Sequence, residues 1–235
     1  MVEYYSTLFL LSGKKRMKIA VISANLGNYD KPYPWADQIL PEGVECDIYR
    51  LDNSNFPPRP KAMTPALQVG IAKWFAHDLY PGYDLYMWVD ASCALTRGNE
   101  VSLWALSLGN TDIALFKHPA RKNVNEEYEF VRDKMIAGNK YLVSRYEGEW
   151  WDEEFKYIAA RRGGWADLYA STAFMYRPAE RVKEAFREVF SLKVRFHLHD
   201  QIALAYALQE HQVNITRINE NYQKSGYLEF VRGKK

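Results

Sequence analysis

The sequence is poor in several features that would assign a protein to a functional class at once. Only two of its 235 residues are cysteines, Cys46 and Cys93, and they form no C-x-x-C pair, so neither a disulfide framework nor a zinc site is indicated. The chain also contains no G-x-x-x-x-G-K-[ST] loop, no G-x-G-x-x-G fingerprint and no G-x-S-x-G elbow. ATPases, dinucleotide-dependent oxidoreductases and serine hydrolases therefore lose their usual sequence support.

A strong charge of one sign is also lacking. Lys and Arg number 31 against 29 Asp and Glu, which leaves a formal net charge of +2. So small a surplus gives no reason to expect nucleic acid or an anionic membrane as a partner. Hydrophobic residues make up 48% of the chain and charged residues 26%, which is typical of a folded globular domain.

The N-terminal stretch is apolar only over residues 4–11, which is too short for a membrane span. Its basic cluster, residues 14–16, follows the apolar stretch, whereas a signal peptide carries its basic residues in front. We therefore expect a soluble, cytoplasmic protein without a transmembrane segment. We expect it to consist of an N-terminal extension, residues 1–16, and one domain, residues 17–235.

Aromatic residues, by contrast, are abundant and make up 15% of the chain. Aromatic rings stack on sugar and base faces at low cost in conformational entropy. Their number therefore favours a carbohydrate or nucleotide site, although a ring-rich core explains it as well.

Short apolar runs alternate with helical stretches along the chain, as in α/β proteins. The predicted strands cover residues 18–24, 45–51, 83–89, 112–116 and 172–176, with short strands within 215–230. The predicted helices cover residues 65–79, 178–190 and 199–209, and the charged segment 123–162 also favours helix. We expect a Rossmann-like α/β fold in which a mostly parallel central sheet is flanked by helices.

Polar clusters directly follow four of the predicted strands, at residues 25–30, 52–53, 90–92 and 118–121. Ligands of such sheets bind outside the carboxyl ends of the strands, so we expect the four clusters to converge on one rim. Asp90 is the most informative position, because a carboxylate ends an apolar strand there and is suited to a hard divalent cation. Capping of the following turn is the alternative explanation for this residue.

Several short motifs resemble those of GT-A-type glycosyltransferases, whose hallmark is D-x-D at the end of a central strand. Asp90-Ala91-Ser92 matches the first acid and has a hydroxyl in place of the second. The chain is more closely similar to a glycosyltransferase-like family linked to plant pectin and mucilage synthesis. The shared motifs, in order, are G-x-Y-D at 27–30, W-[IV]-D at 88–90, H-P-x-R at 118–121 and D-Q at 200–201.

This resemblance implies a GT-A-like fold and a nucleotide-sugar donor, with UDP-sugars favoured. The sugar would pass to a hydroxyl of a glycan or another acceptor. The resemblance also implies Mn²⁺ or Mg²⁺, held by Asp90, to stabilise charge on the departing nucleoside diphosphate. Ser92 would contact a metal-bound water or the ribose. Because Ser92 cannot supply the charge of an acid, we expect weak metal affinity or metal-independent activity.

Candidates for the base and ribose contacts follow the first two strands. Asn25, Asp52 and Asn53 are placed to contact the nucleoside, and Tyr29 belongs to the G-x-Y-D motif. Ordinary turn formation is the alternative for the Asn and Asp positions.

Candidates for the phosphate and sugar contacts come from later segments. Lys73 or Arg97 would neutralise phosphate, and His118 with Arg121 suits a phosphate or a sugar carboxylate. Solvated surface residues or a loop ion pair are the simpler explanations. Gln201, in the D-Q pair, is a further donor-binding candidate.

A general base for the acceptor hydroxyl must be a carboxylate or a histidine. Asp200 is the first candidate and His199 the second, with helix capping as the alternative for Asp200. Four aromatic residues near the glycines at 163–164 form a candidate acceptor platform or else belong to the core: Trp150, Trp151, Trp165 and Tyr169.

Two other functions compete with glycosyl transfer. A non-catalytic carbohydrate- or nucleotide-binding module on the same fold is favoured by the missing second acid at Ser92. A nucleotidyltransferase would also use an α/β sheet with acids at strand ends. The sequence lacks the expected Gly-rich loop and Lys after the first strand, which argues against this alternative.

Overall fold

The computed structural model describes residues 16–27, 29–161 and 166–232. Its strands are β1 (Met17–Asn25), β2 (Val44–Asp52), β3 (Leu85–Val89), β4 (Cys93–Ala94), β5 (Ile113–Lys117), β6 (Tyr169–Tyr176), β7 (Ile215–Ile218) and β8 (Glu229–Phe230). Six of them form one sheet in the order β2-β1-β3-β6-β5-β7, and β4 pairs with β8 in a separate ribbon.

The direction of the strands confirms a mostly parallel sheet. Strand β1 pairs in parallel with β2 and β3, and β5 pairs in parallel with β7. Strand β6 lies between β3 and β5 and is antiparallel to both. Five strands therefore run one way and β6 alone runs the other way, which places the start of β6 at the edge where β1 and β3 end.

Eight α-helices lie in the described ranges: α1 (Pro65–Trp74), α2 (Ala76–Leu79), α3 (Glu100–Leu108), α4 (Val124–Ile136), α5 (Lys140–Tyr146), α6 (Trp151–Ala159), α7 (Glu180–Arg195) and α8 (Asp200–Glu210). A 3₁₀ turn covers Tyr222–Lys224. None of the helices in these ranges has both the length and the apolar composition of a membrane span.

The helices differ from the predicted ones in three places. The single helix predicted over 65–79 is divided at Phe75, which lies outside the helical region at φ −122° and ψ 29°. The segment 123–162 contains three helices, because Gly138 and Gly148 turn the chain with φ of +73° and +83°. Helix α3 was not predicted. It buries the charged residue Glu100, whose carboxylate accepts hydrogen bonds from two backbone N–H groups. Because a charged residue is buried with the apolar ones, α3 lacks a clean amphipathic pattern.

The inner strands β1, β3, β5 and β6 are buried on both faces, which explains their continuous apolar runs. Alternate residues of β1 point to opposite sides: Ala20 and Ile22 belong to one core cluster, and Ile19 and Val21 to the other. On the first face Trp74 of α1 stacks on Phe174 of β6, with 5.4 Å between ring centroids. Helix α3 packs on the opposite face. The molecule therefore has three layers, and polar groups at the sheet's edge are held by a rigid support.

The predicted N-terminal extension lies outside the described residues, apart from Arg16. The guanidinium of Arg16 lies 3.2 Å from the carboxylate of Glu45 on β2. The Gly-Gly-Trp segment at 163–165 and Asn28 of the G-x-Y-D motif are also outside the described ranges.

Candidate functional site

A cavity of about 870 Å³ opens at the carboxyl ends of β1 and β3. This volume falls in the usual range for small-molecule sites, roughly 300–1,000 Å³. From β1 the chain continues to β2, which pairs with one edge of β1, and later to β3, which pairs with the other edge. The cavity at the end of β1 therefore lies at a topological switch point of the sheet. The first residues of α1 and α8 also line it, and helix N-termini favour negatively charged ligands.

The floor of the cavity carries a cluster of two lysines and two aspartates. Lys73 Nζ on α1 lies 2.9 Å from Asp200 Oδ2 and 3.4 Å from Asp90 Oδ1. Lys193 Nζ on α7 lies 3.6 Å from the same oxygen of Asp200. Ser171 on β6 donates to Asp200 Oδ1 at 2.8 Å. Four elements thus bring together charged groups far apart in the sequence, and their formal charges cancel.

The pKa values of the two aspartates in this floor cluster are shifted in opposite directions. Burial opposes ionisation of Asp200, but the ammonium groups of Lys73 and Lys193 outweigh it and hold the pKa of the carboxyl well below its usual range. Burial raises the pKa of the Asp90 carboxyl, and Lys73 offsets this only in part. Burial likewise disfavours the charge on Lys73, but the two carboxylates raise its pKa overall.

Asp90 is the member of the floor cluster most open to the cavity. Its side chain is 35% exposed, against 17% for Asp200 and 6% for each lysine. Trp88 Nε1 donates to Asp90 Oδ1 at 2.6 Å, which fixes the carboxylate at the end of β3. Asp90 is therefore held rigidly and presented to a ligand.

The loop after β1 is folded by its own polar groups. Asn25 donates to the backbone oxygen of Asp30 at 2.6 Å and accepts from its N–H at 3.1 Å. Gly27 has φ +72°, which favours glycine, and its N–H donates to the side chain of Asn53 at 2.9 Å. Asn25 and Tyr29 line the cavity, whereas Asn53 supports the loop from behind.

A wall of tyrosine and arginine residues faces this loop. Arg145 of α5 donates to the hydroxyls of Tyr29 at 3.0 Å and Tyr141 at 2.8 Å. Arg232 lies over the same Tyr29 ring, 5.3 Å from its centroid, and forms two hydrogen bonds of 3.2 Å with Asp30. All five side chains line the cavity, so segments 29–30, 141–145 and 232 form one surface.

A second polar network reaches the cavity through His199, directly before α8. His199 Nε2 lies 3.1 Å from Glu127 Oε1 on α4, and Arg121 is hydrogen-bonded to the other oxygen of this carboxylate. Burial opposes ionisation of Glu127, but His199 and Arg121 together lower its pKa to about 2. Glu127 therefore stays ionised and orients the imidazole, whose Nε2 faces the carboxylate and whose Nδ1 forms no hydrogen bond to the described residues.

Two polar atoms at this part of the cavity have no hydrogen-bond partner among the described residues. They are His199 Nδ1 and Gln201 Oε1, and both side chains line the cavity. Buried polar atoms are normally paired in folded proteins, so unpaired ones need an explanation. Both atoms are themselves shielded from solvent, so a ligand hydroxyl would reach either of them only after a rotation of its side chain.

Four predicted donor-binding residues lie outside the residues that line the cavity: Asp52, Asn53, Arg97 and His118. Asp52 accepts hydrogen bonds from the backbone and hydroxyl of Ser54 and stabilises the turn after β2. Arg97 lies 3.3 Å from the carboxylate of Glu229 and anchors β8.

His118 is buried below the cavity and turns the loop after β5. Its Nδ1 accepts from the backbone N–H groups of Ala120 at 3.2 Å and Arg121 at 2.9 Å. Burial and the charge of Arg121 lower the pKa of His118 to about 4, so its ring is neutral at pH 7. Of the four strand-end clusters, those after β1 and β3 line the cavity, and the one after β5 reaches it through Arg121.

The candidate aromatic platform is divided between core and surface. Trp151 and Tyr169 are each 3% exposed and belong to the core, and Trp150 is 59% exposed. None of the three lines the cavity, and Trp165 lies outside the described residues. The rings that do border the cavity include Tyr29, which was predicted, and Tyr141, which was not.

Two charged residues of the site could have been recognised from helical spacing. Lys193 and Glu127 each occupy a position on the buried face of their helix, next to apolar residues three or four positions away. A charged residue in such a stripe needs a buried partner. Arg145 and Arg232 carry no comparable signal, because they follow neither a predicted strand nor an apolar stripe.

The donor atoms at Asp90 are a poor fit for Mn²⁺ or Mg²⁺. Asp90 Oδ1 is engaged by Trp88 and Lys73, which leaves Oδ2 for a cation. Ser92 is buried at 5% exposure, and the described residues contain no group of three or more His, Cys, Asp or Glu able to hold a metal ion. Hard cations prefer several oxygen ligands, whereas here an ammonium group already neutralises the carboxylate.

No protein-family description and no curated protein matches the chain. Among solved structures, it is similar to the apo form of WbbM, a bifunctional glycosyltransferase, with 14% identity and a TM-score of 0.47 over 86% of this chain. It is also similar to apo mouse xyloside xylosyltransferase 1, with 10% identity and a TM-score of 0.46 over 86% of this chain. Both of these proteins are glycosyltransferases.

The chain spans 39% of the WbbM chain and 85% of the xylosyltransferase chain. At these identities the similarities assign no role to any residue. The resemblance to the pectin- and mucilage-linked family stays a prediction.

Proposed function

We propose that this protein is a glycosyltransferase that moves a sugar from a nucleoside-diphosphate sugar to a hydroxyl of a glycan or another acceptor. The observation that carries the proposal is the cavity at the ends of β1 and β3. It combines a fixed carboxylate, Asp90, a surplus of basic side chains and two unpaired polar atoms. These features match a diphosphate, a sugar and an acceptor hydroxyl.

The charge of the lining suits the diphosphate. Six basic and four acidic side chains among the described residues line the cavity, a surplus of two positive charges, with His counted as neutral. The N-termini of α1 and α8 add positive potential at the same place. The leaving group in glycosyl transfer from such a donor is a nucleoside diphosphate, so this surplus acts where negative charge develops.

The sugar would lie over the floor cluster. Asp90 presents an oxygen that accepts hydrogen bonds from sugar hydroxyls, and the Gln201 amide offers an acceptor without a present partner. Since Lys73 and Trp88 hold the Asp90 carboxylate in place, this group can orient a sugar without reorganising.

His199 is a better candidate than Asp200 for the general base. Asp200 contacts two ammonium groups and a hydroxyl, and its depressed pKa makes it a poor proton acceptor. His199 has a free Nδ1 and an ionised carboxylate, Glu127, that stabilises the protonated ring. We therefore rank His199 before Asp200 as the general base, and we propose that Asp200 positions Lys73.

The proposed step forms one bond and breaks one bond at the anomeric carbon. The acceptor oxygen attacks this carbon, and the bond from the carbon to the phosphate oxygen breaks with its electron pair. The acceptor proton passes to His199 Nδ1, which is shielded in this structure and which a rotation of the ring would expose to the cavity. The nucleoside diphosphate leaves with the negative charge, which the basic side chains of the cavity stabilise.

The first test is calorimetry with a panel of UDP-, GDP- and dTDP-sugars, each with and without Mn²⁺. We expect one class of donor to bind in the micromolar range and to release its nucleoside diphosphate when an acceptor is present. Failure of every donor to bind under both conditions would exclude the proposal.

A second test replaces Asp90 by Asn, which keeps the side-chain volume and removes the charge. We expect turnover to fall at least about 100-fold, the usual scale for removal of a charged group in a transition state. The matched control is Asp133→Asn, at an exposed position on α4 outside the cavity, and it should leave turnover unchanged. Equal turnover in both variants would remove Asp90 from the mechanism.

A non-catalytic nucleotide-sugar-binding module is the second candidate. Ser92, buried in place of a second acid, is the observation that favours it. This alternative predicts that a donor binds but that no sugar is transferred or hydrolysed in the presence of any acceptor tested.

A further inference from the structure

The Lys73 ammonium lies where a cation bound to Asp90 would be expected. It is 3.4 Å from Asp90 Oδ1, is only 6% exposed, and is held by a second contact with Asp200 at 2.9 Å. Lys193 places another ammonium 3.6 Å from Asp200. A divalent cation at Asp90 would therefore approach a fixed positive charge, and the nearby acid that would offset this repulsion is already paired.

Arg145 provides positive charge at the opposite wall. In the described part of the chain no carboxylate lies within ion-pair distance of its guanidinium, and its hydrogen-bond partners there are the neutral hydroxyls of Tyr29 and Tyr141. The rings of Tyr29, Tyr141 and Tyr146 surround the guanidinium carbon at 5.9, 5.3 and 5.7 Å.

These tyrosines hold Arg145 in one orientation without neutralising it. A guanidinium has five N–H donors, and the two hydrogen bonds of Arg145 both start from Nη1, so other donors stay available. Its planar geometry matches two oxygens of a phosphate group. An arginine prepared in this way at a cavity wall is an anion site.

Arg232 supports the same surface in a different manner. It lies over the Tyr29 ring but is already paired with Asp30, so a phosphate would have to compete with that carboxylate. Arg145 has no such competitor, and it is therefore the residue on which an anion site at this wall depends.

We propose that the cavity binds the diphosphate of its ligand with a side-chain cation, Arg145 on the wall, and not with a divalent metal ion, whose place beside Asp90 is taken by the ammonium of Lys73. This inference rests on the proposed function, because it concerns the leaving group of the same reaction. In the transfer step the electron pair of the breaking bond stays on the diphosphate oxygen, and Arg145 stabilises its charge.

The test measures binding of UDP and of inorganic pyrophosphate by calorimetry, first with excess EDTA and then with Mn²⁺. We expect the dissociation constants under the two conditions to agree within about threefold. Loss of UDP and pyrophosphate binding in EDTA, with recovery in Mn²⁺, would overturn the inference and leave the proposed function intact. Absence of UDP, pyrophosphate and nucleotide-sugar binding under both conditions would overturn the proposed function as well.

The role of Arg145 in anion binding is tested with the variant Arg145→Gln, and Arg145→Lys is the conservative variant. We expect pyrophosphate binding to weaken at least tenfold in the Gln variant and less in the Lys variant, which keeps the charge but not the fork. The matched control is Arg132→Gln, at a half-exposed position on α4 that pairs with Asp133 and does not line the cavity. Near-ultraviolet circular dichroism checks the fold of each variant.

Unchanged pyrophosphate binding in folded Arg145→Gln would exclude Arg145 from the anion site. If that variant does not fold, Arg145→Lys and the comparison of EDTA with Mn²⁺ on the unmodified protein still decide the question.

Discussion

Two histidine–glutamate pairs lie side by side in this protein and have different surroundings. His197 Nε2 lies 2.7 Å from Glu154, and the two side chains are 0% and 1% exposed. His199 Nε2 lies 3.1 Å from Glu127, with side chains 10% and 3% exposed, and His199 lines the cavity. Trp151 contacts both imidazoles, with ring-centroid distances of 4.3 and 5.3 Å.

The difference shows how one chemical pair can serve structure or reactivity. His197 Nδ1 accepts the backbone N–H of His199 at 3.2 Å, and its Nε2 lies within ion-pair distance of Glu154 without forming a hydrogen bond to the described residues. His199 has a free Nδ1, and Glu127 has Arg121 as a second partner. The first pair is fully buried away from the cavity lining and is therefore closed and structural, whereas the second borders the cavity and is the open pair.

The largest effect is expected from His199→Phe, which removes the proposed base from the open pair. Turnover should fall about 100- to 10,000-fold, the usual contribution of general base catalysis. Initial-rate measurements with a saturating donor check this, with Asp133→Asn, at the exposed position outside the cavity lining, as the control. Turnover within twofold of the unmodified protein would assign both pairs a purely structural role.

The next largest effect is a difference in the free energy of unfolding between variants of the two pairs. His197→Phe leaves Glu154 buried without its partner, and we expect the free energy of unfolding to fall by about 3–5 kcal/mol. His199→Phe should cost less, because Arg121 still pairs with Glu127. Urea denaturation of both variants measures the difference, and equal losses would contradict the contrast between a closed and an open pair.

A smaller effect concerns pH. The pKa of Glu127 is lowered from 4.5 to about 2 in the folded protein, so its ionised form adds stability above pH 4.5 that is lost as the pH falls toward 2. One proton accounts for at most about 1.4 kcal/mol per pH unit. Glu127→Gln should therefore flatten the dependence of unfolding free energy on pH in this window.

Urea denaturation at several pH values between 5 and 2 tests this expectation. Glu126→Gln, at the neighbouring position outside the cavity lining, is the control and should keep the original slope. An identical slope in the Glu127 variant would mean that the open pair does not stabilise the folded state through its charge.

The smallest effect is expected at Trp150, the residue before Trp151, whose ring contacts the histidines of both pairs. Trp150 is 59% exposed and does not line the cavity. Trp150→Ala should change the free energy of unfolding by less than about 0.5 kcal/mol and leave turnover unchanged. A clear loss of turnover with a soluble acceptor would restore the acceptor platform predicted from the sequence.

The strand ends of this protein were predictable, because apolar runs end visibly at polar residues. Asp90 and Asn25 lie at the edge of the sheet where the pattern placed them, and both border the cavity. Asp52 follows the same pattern but turns away from the cavity, because its carboxylate bonds to Ser54. A strand-end rule identifies the correct edge of the sheet but not which side chains face the ligand.

The choice between Asp200 and His199 shows where such reasoning stops. Both residues stand in one short motif, and nothing local indicates that Lys73 and Lys193 pair with Asp200 while Glu127 pairs with His199. Glu127 lies 72 residues from His199 along the chain, and Lys73 is farther still from Asp200. The proton affinity of each group depends on these contacts.

The sequence by itself determined the layered α/β architecture, the direction of most strands and the edge at which polar residues collect, because alternation and strand ends are local properties. Only the tertiary structure decided the antiparallel placement of β6, the pairing of the floor cluster and the unneutralised guanidinium of Arg145. These depend on contacts between distant segments, and it is such contacts that set burial, charge and pKa.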